Sequence, residues 1–566
     1  MYNVLVGGAA GDGIETVVAV FEKSLKKSGY NVYSVRDFMS RIRGGHNFTL
    51  VRFGTNVITS HVSQQDGQLD GLIALNEETV QLHKGRLSAA GFILCDTSFK
   101  PNDNRAIMID MKGIAKSLGH PKAAGSVAIG AALKLFGETS AFALDVMCHS
   151  LKPDILEVNC KALLVGFGSV QSRYPHHSRI DSGFVDRMLL NGNEALVLGA
   201  LAAGLRFYSA YPMSPSTSIM ESLDAKKETA KIVVEQAEDE IAAINMALGA
   251  SFAGARAMTG TSGGGFSLMV EALGFSGIAE IPIVIVDAQR PGPATGLPTR
   301  TEQSDLKFVI SAAQGEFPRM VIALRSHADA FYQTARAFDI AGRYQMPVIL
   351  LTDQYLADTT ATVPVFDMKK LPPSPEKTTF LNGDTDDSCY LRYHLAETGI
   401  SSRRIPGKSK ALVTADSNEH DERGYITESA SMRTQMVDKR MRKLKMLEQE
   451  LLEPEWVGGE TWETLLVGFG STDGPIREAV AVLTREFPGK YGALVFGDIH
   501  PMPKKLVSER AAKAKRIITI EQNATGQLAA LLQERTGIAC SHSILKYDGR
   551  QLSGEEIVAR LKEIDP

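Results

Sequence analysis

At 566 residues the chain is too long for one hydrophobic core, and three or four domains are expected. Its 44% hydrophobic and 22% charged content is that of an ordinary globular protein, and a net charge of -4 lacks the clustered basic excess of a nucleic-acid binder. Five scattered cysteines (Cys95, Cys148, Cys160, Cys389, Cys540), with no Cys-x-x-Cys spacing, argue against a disulfide framework and against an iron–sulfur cluster held by this chain.

The chain opens on a strand-like Tyr2-Asn3-Val4-Leu5-Val6, with no signal peptide and no apolar run of membrane-spanning length, so a cytoplasmic setting is expected. Residues 1 to about 185 alternate strands (3–6, 32–35, 72–75, 91–95) with helical segments such as 14–28, which predicts an α/β layer with a mostly parallel sheet. Between the first strand and helix lies Gly7-Gly8-Ala9-Ala10-Gly11-Asp12-Gly13. It reads as a tight turn whose N–H groups are able to hold phosphate, without the spacing of a dinucleotide fingerprint. Further on, Arg41 and Arg43 stand beside Gly44 and Gly45. Arginine forks suit phosphate, and an exposed basic loop accounts for them equally well. Residues 168–186 read as a linker.

A second α/β domain is expected over 190–362, with buried strands at 281–286, 319–323 and 347–351. In Tyr211-Pro212-Met213-Ser214-Pro215 two prolines fix the backbone around one hydroxyl, as in a binding loop or a structural turn. Glu235, Glu238, Asp239 and Glu240 crowd what reads as a helix first turn, where the dipole favours carboxylates. Glu240 differs from the others because Ile241, Ala242, Ala243 and Ile244 follow it. That setting suggests burial, a raised pKa and proton sharing. Thr259-Gly260-Thr261-Ser262-Gly263-Gly264-Gly265 is a strand-end loop that permits close approach of a ligand. Arg290 follows the strand 281–286, where open α/β sheets gather ligands, and is placed to pair a substrate carboxylate. Residues 363–456 read as a loop-rich insertion ending in a helix at 432–452, whose Lys439, Arg440, Arg442, Lys443 and Lys445 are expected on a solvated face. A last α/β domain is expected over 460–566.

Together these motifs resemble the 2-oxoacid:ferredoxin oxidoreductases, specifically the fused gamma–alpha subunit of the two-subunit, 2-oxoglutarate type. The resemblance implies a multidomain α/β fold: a gamma-type domain over 1–185, a thiamine pyrimidine-binding domain over 190–362 and a transketolase C-terminal-like domain over 460–566. The family's Tyr-Pro-Ile-Thr-Pro-Ser matches Tyr211 to Ser216 with serine at 214 in place of threonine, which keeps the hydroxyl and loses a methyl. It implies that Glu240 is catalytic, sharing a proton with the pyrimidine of thiamine diphosphate. Ser214, Arg290 and Thr299 would bind substrate, and Tyr211, Pro212, Thr261 and Ser262 would contact the cofactor. Arg41, Arg43, Gly44 and Gly45 are candidates for coenzyme A.

Gly11-Asp12-Gly13 resembles the start of a thiamine diphosphate–magnesium motif, but the asparagine that should follow is missing, so no metal ligand is assigned to this chain. The diphosphate, Mg2+ and a [4Fe–4S] cluster are then expected on a beta subunit, with ferredoxin as electron acceptor and a dimer of alpha–beta heterodimers as the assembly. No nucleic acid and no membrane are expected as partners. The implied reaction converts 2-oxoglutarate, coenzyme A and oxidised ferredoxin to succinyl-CoA, carbon dioxide and reduced ferredoxin, or runs in reverse to fix carbon dioxide. A transketolase- or E1-like thiamine subunit without electron transfer, and a non-catalytic α/β nucleotide-binding subunit, are the alternatives.

Overall fold

The structure, a computed structural model, describes residues 1–38, 45–175, 183–372, 390–408 and 410–564. Backbone contacts divide the chain into two compact units. One comprises Met1–Asn191, Asp358–Val365 and Ser553–Pro566; the other comprises Gly192–Ala357 and Phe366–Leu552.

The first unit is built on an eight-stranded sheet in the order Ala106–Ile109, Leu87–Asp96, Leu69–Ala74, Tyr2–Ala9, His46–Gly54, Asn31–Asp37, Thr360–Val363, Met188–Asn191. Only the first four strands are mutually parallel; from Tyr2–Ala9 onward every pairing is antiparallel. The expectation of a mostly parallel sheet is therefore corrected. Residues 38–45 are too few for the crossover that parallel pairing requires, so His46–Gly54 returns directly beside Asn31–Asp37. Helix Ile14–Lys27 covers one face through Val17, Val18, Phe21 and Leu25, packed with the helix Ala124–Leu135.

The second unit carries a seven-stranded sheet in the order Asp498–His500, Met320–Ala323, Pro347–Asp353, Ile283–Gln289, Ala257–Thr261, Phe207–Ala210, Val233–Gln236. All neighbours are parallel except Asp498–His500, which joins the edge antiparallel. Taken in chain order, the parallel strands run 5-6-4-3-1-2 across the sheet, so the order reverses between Phe207–Ala210 and Ala257–Thr261. In such sheets the crevice at the carboxyl ends beside the reversal is where ligands bind. A five-stranded sheet (Glu455–Val457, Tyr491–Phe496, Thr464–Phe469, Arg516–Glu521, His542–Leu545) shares its core with this one, Leu465, Val467, Leu494 and Phe496 packing with Ile283, Ile285 and Val321.

Two local expectations change. The acidic run before Glu240 is not one helical turn: Val233–Gln236 is an edge strand that carries Glu235, and the helix begins only at Glu240. The helix Ala430–Leu447 buries three of its five expected surface cations, Lys439, Arg440 and Lys443, while Lys445 is exposed and Arg442 half-buried. Lys439 and Lys443 are fully buried and both pair with Glu280, Lys439 Nζ donating to Oε1 at 2.6 Å and Lys443 Nζ to Oε2. Positions four apart share one helix face, so a single carboxylate meets both. Burial alone would raise Glu280, but Lys443, Lys439 and Arg392 outweigh it and hold the carboxyl well below the usual range. Burial pushes Lys443 down to about 7. Arg440 is buried too, its guanidinium donating to both oxygens of Glu419 at 3.0 and 2.8 Å. Among the described residues no helix is long and apolar enough to cross a membrane.

Candidate active site

Four neighbouring strands of the second unit, Val233–Gln236, Phe207–Ala210, Ala257–Thr261 and Ile283–Gln289, end at one edge of the sheet. Each leads into a segment singled out in the sequence, so topology alone gathers the candidates. After Phe207–Ala210 the loop Tyr211–Ser216 is braced from several sides. Ser216 donates from both N and Oγ to the Met213 carbonyl at 2.8 and 2.7 Å, and Asn193 Nδ2 donates to the Pro215 carbonyl at 3.1 Å. The Ser214–Pro215 peptide is cis.

After Val233–Gln236, Asp239 caps the helix Glu240–Phe252, its Oδ1 accepting from the Ala242 N–H at 2.7 Å. That cap sets the first turn and turns Glu240 inward. Glu240 is 3% exposed, and its Oε1 is buried without a hydrogen-bond partner. A Cβ on Gly265 would lie 2.4 Å from that oxygen and 2.1 Å from Thr261 Oγ1. Glycine at 265 is therefore what lets an acid reach the start of the neighbouring helix, Gly263–Ile278. Thr261 and Ser262 are buried beside it, and Ser262 Oγ likewise has no partner and does not cap its own helix. An unpartnered buried oxygen loses its hydration with nothing in return, so such atoms in a cluster mark places built for something else.

Arg290 follows Ile283–Gln289 and is half-buried. It reaches back to the proline loop, Nη1 donating to the Ser214 carbonyl at 2.7 Å. Burial lowers its pKa, and Asp305 and Glu240 push it back up. Arg290, Ser262, Gly263, Gly264 and Asp305 line one cavity of about 250 Å3. The structure thus brings Ser214, Glu240, Thr261, Ser262 and Arg290 to one edge. Tyr211 and Pro212 stand on the same loop, with Tyr211 40% exposed. Thr299 sits further along the segment that starts at Arg290 and does not line the cavity.

Sequence reasoning passed over two acids of this edge, Asp287 and Asp305, and the clamp behind them. Gln303 Nε2 donates to the Phe469 carbonyl at 2.9 Å, its N–H donates to the Gln522 carbonyl at 2.6 Å, and Gln527 Nε2 donates to the Ser304 carbonyl at 2.7 Å. The C-terminal segment 521–527 therefore holds the loop that carries Asp305. A lone aspartate in the apolar run Ile283-Val284-Ile285-Val286-Asp287 was the available signal.

In the first unit, Arg41, Arg43 and Gly44 lie outside the described residues. Gly45, with φ 125°, leads straight into His46–Gly54. A separate cavity of about 400 Å3 opens at the start of helix Ile14–Lys27, lined by Gly11, Gly13, Lys112, His120 and Lys122 among others. Gly11 and Gly13 adopt φ of 99° and 79°, the left-handed region that side chains disfavour.

Comparison with known proteins adds to this geometry. Residues 198–439 match the family described as pyruvate flavodoxin/ferredoxin oxidoreductase, thiamine diphosphate-binding, and residues 3–169 match pyruvate ferredoxin/flavodoxin oxidoreductase. The chain is 32% identical to a 2-oxoacid:ferredoxin oxidoreductase subunit alpha of a Sulfolobus species, over 99% of this chain and 96% of that protein. It is 33% identical to the 2-oxoglutarate oxidoreductase subunit KorA of Mycobacterium tuberculosis, over 72% of this chain and 62% of that one. Among solved structures, a 2-oxoglutarate:ferredoxin oxidoreductase from Magnetococcus marinus, with 2-oxoglutarate, coenzyme A and succinyl-CoA bound, superposes with a TM-score of 0.90. The identity there is 30%, covering 99% of both chains.

Proposed function

The chain belongs to the 2-oxoacid:ferredoxin oxidoreductase alpha subunits, and from that premise we propose that it supplies half of a thiamine diphosphate site for the oxidative decarboxylation of 2-oxoacids, 2-oxoglutarate first among them. Coenzyme A takes the acyl group and ferredoxin the electrons, and carboxylation of an acyl-CoA is the same chemistry reversed. The observation that carries the reading is Glu240: a buried carboxyl oxygen with no partner, at the carboxyl edge of an α/β sheet, in one edge cluster with Arg290.

The residues fit the cofactor by their chemistry. Glu240 Oε1 and Ser262 Oγ are buried polar atoms left without partners, which a ring with nitrogen donors and acceptors would satisfy. Glu240, Tyr211, Pro212, Thr261 and Ser262 would hold the pyrimidine end. Thiamine diphosphate, when bound, supplies a nucleophilic carbon and takes up the electron pair left by departing carbon dioxide. The task of Glu240 is to hold and return one proton at Oε1 in a setting closed to water. Arg290 pairs the carboxylate common to all 2-oxoacids, and its bond to the Ser214 carbonyl keeps it oriented toward the proline loop. The Ser214 hydroxyl and Thr299 are proposed as further substrate contacts.

A half-site needs a second wall. Ile241, Met246 and Leu268 are 51%, 42% and 49% exposed on the two helices that begin at this edge. We assign that wall to a beta subunit, which would also hold the diphosphate, Mg2+ and a [4Fe–4S] cluster, in a dimer of alpha–beta heterodimers located in the cytoplasm. The cavity of the first unit, with glycines at a helix start and Lys112 and Lys122 on its wall, supports binding of the phosphate-bearing end of coenzyme A there; Arg41, Arg43, Gly44 and Gly45 are proposed as further coenzyme A contacts. In modules, the proposal is gamma-type at 1–185, pyrimidine-binding at 190–362, an insertion at 363–456 and transketolase C-terminal-like at 460–566.

The test is co-expression with the neighbouring subunit and viologen reduction with 2-oxoglutarate or pyruvate. Activity that requires both chains, thiamine diphosphate and coenzyme A is expected, with iron and acid-labile sulfide in the partner. Activity from this chain alone, or a partner without iron, would refute the assignment.

A further inference from the structure

Besides Glu240, two acids at the carboxyl edge, Asp287 and Asp305, leave carboxyl oxygens without partners and have no part in the reading above. Asp287 is fully buried on Ile283–Gln289, and neither of its carboxyl oxygens has a hydrogen-bond partner. Asp305 ends the loop that begins at Arg290. Its N–H donates to Gln289 Oε1 at 3.0 Å, while its own Oδ2 has no partner. The Asp305 carboxyl occupies the space of a missing side chain: a Cβ on Gly263 would lie 2.4 Å from Oδ2. It shares the 250 Å3 cavity with Arg290 and Ser262.

Two neighbouring carboxyls, one fully and one partly buried and both short of hydrogen bonds to stabilise their charge, do not both ionise near neutrality. Burial raises both, Asp287 well above the ordinary aspartate range and Asp305 to about 6. The charges around the pair are few. Asp287 faces Asp305, Asp305 faces Glu302 on its own loop and Arg290 across the cavity, and Arg290 faces Asp305 and Glu240. Arg290 is the cation of this set, and the carboxylate of a 2-oxoacid must compete for it.

We propose that Asp305, backed by Asp287, is a positioning residue that sets how much of the Arg290 charge is free for the substrate carboxylate. Ionised, Asp305 draws the guanidinium to itself; protonated, it releases it. Asp287, fully buried, keeps its own proton, so the negative charge of the pair falls on Asp305. The inference rests on Arg290 holding the substrate carboxylate, and it predicts an effect common to all 2-oxoacids, whatever their length.

The experiment measures KM and kcat of the assembled enzyme for 2-oxoglutarate and for pyruvate across pH 5.5 to 8. In the wild type KM rises about threefold or more with pH, the change falling in KM rather than kcat. Asp305→Asn flattens the profile at the low-KM end. Asp287→Asn leaves the midpoint of the rise in place, because Asp287 keeps its proton over this range. A wild-type profile in Asp305→Asn, or a KM raised at every pH, would overturn the proposal, the latter because Asp305 would then anchor Arg290 instead of competing for it. If Asp305→Asn fails to fold, Asp305→Ser takes its place, and a wild-type profile in that variant overturns the proposal. Arg290→Ala separates the two levels: unchanged KM there removes the premise, whereas a large rise in KM with no Asp305 effect removes only this inference.

Discussion

Two groups of acids in the second unit, at Glu280 and at the carboxyl edge, are treated in opposite ways. At Glu280 both carboxyl oxygens are met by lysine ammonium groups, and Arg392 donates to the adjoining backbone carbonyl at 2.9 Å. At the carboxyl edge, Glu240, Asp287 and Asp305 each leave at least one oxygen without a partner. The first arrangement fastens the helix Ala430–Leu447 to the unit and asks nothing further of its charges. The second leaves acid oxygens unmet at a ligand-binding edge, where they are available to a proton or a ligand. At this edge it is the missing partners, more than burial, that set the acids apart from Glu280.

The sharpest break of this contrast is Glu240→Gln, which should lower turnover about a thousandfold or more, roughly 4 kcal/mol of barrier, with the thermal melt unchanged or raised. A mutant that loses stability instead would put Glu240 in the same class as Glu280. The converse is Lys443→Met, expected to cost about 3–5 kcal/mol of stability by leaving a buried charge uncompensated. Replacing Glu280, Lys439 and Lys443 together with apolar residues should recover most of that loss in denaturant melts. If the single and triple variants melt alike, the triad is not what fastens the helix.

Linkage with pH sharpens the comparison further. The depressed pKa of Glu280 gives stability that is present above the ordinary glutamate value and lost as pH falls through the lower folded value. Asp287 has the opposite sign. Its folded pKa is raised, so the unfolded chain binds fewer protons over that window and stability falls as pH rises through it. Asp287→Asn should therefore stabilise the protein by about 1–3 kcal/mol at pH 8 and by less at pH 5, read from paired thermal melts. An equal gain at both values would mean that Asp287 is ionised when folded. The smallest effect is at Asp239→Ala, where losing the bond to the Ala242 N–H should cost about 1 kcal/mol. Turnover should fall with it, since the same cap orients Glu240.

Much of this edge was legible in the sequence because it depends on order along the chain. Strands followed by special loops announce a parallel sheet, and a parallel sheet brings those loops to one side; Ser214, Glu240, Ser262 and Arg290 follow from that alone. What escaped depends on partners distant in sequence. Lys439 and Lys443 look solvated until Glu280, more than a hundred and fifty positions away, is seen between them. Glu235 looks helical until its strand finds Phe207–Ala210. Asp287 and Asp305 were passed over because neither belongs to a motif, and their importance lies in the missing hydrogen bonds. In the first unit the polar segment before His46 hid an antiparallel return, and the sheet was taken as mostly parallel.

The most direct test is hydrogen–deuterium exchange at the reactive thiazolium carbon of thiamine diphosphate in the assembled complex, followed with and without the Glu240 carboxyl. Exchange should be fast in the wild type and slower by about a thousandfold in Glu240→Gln, with the cofactor bound equally in both. Equal exchange rates at equal occupancy would contradict the account.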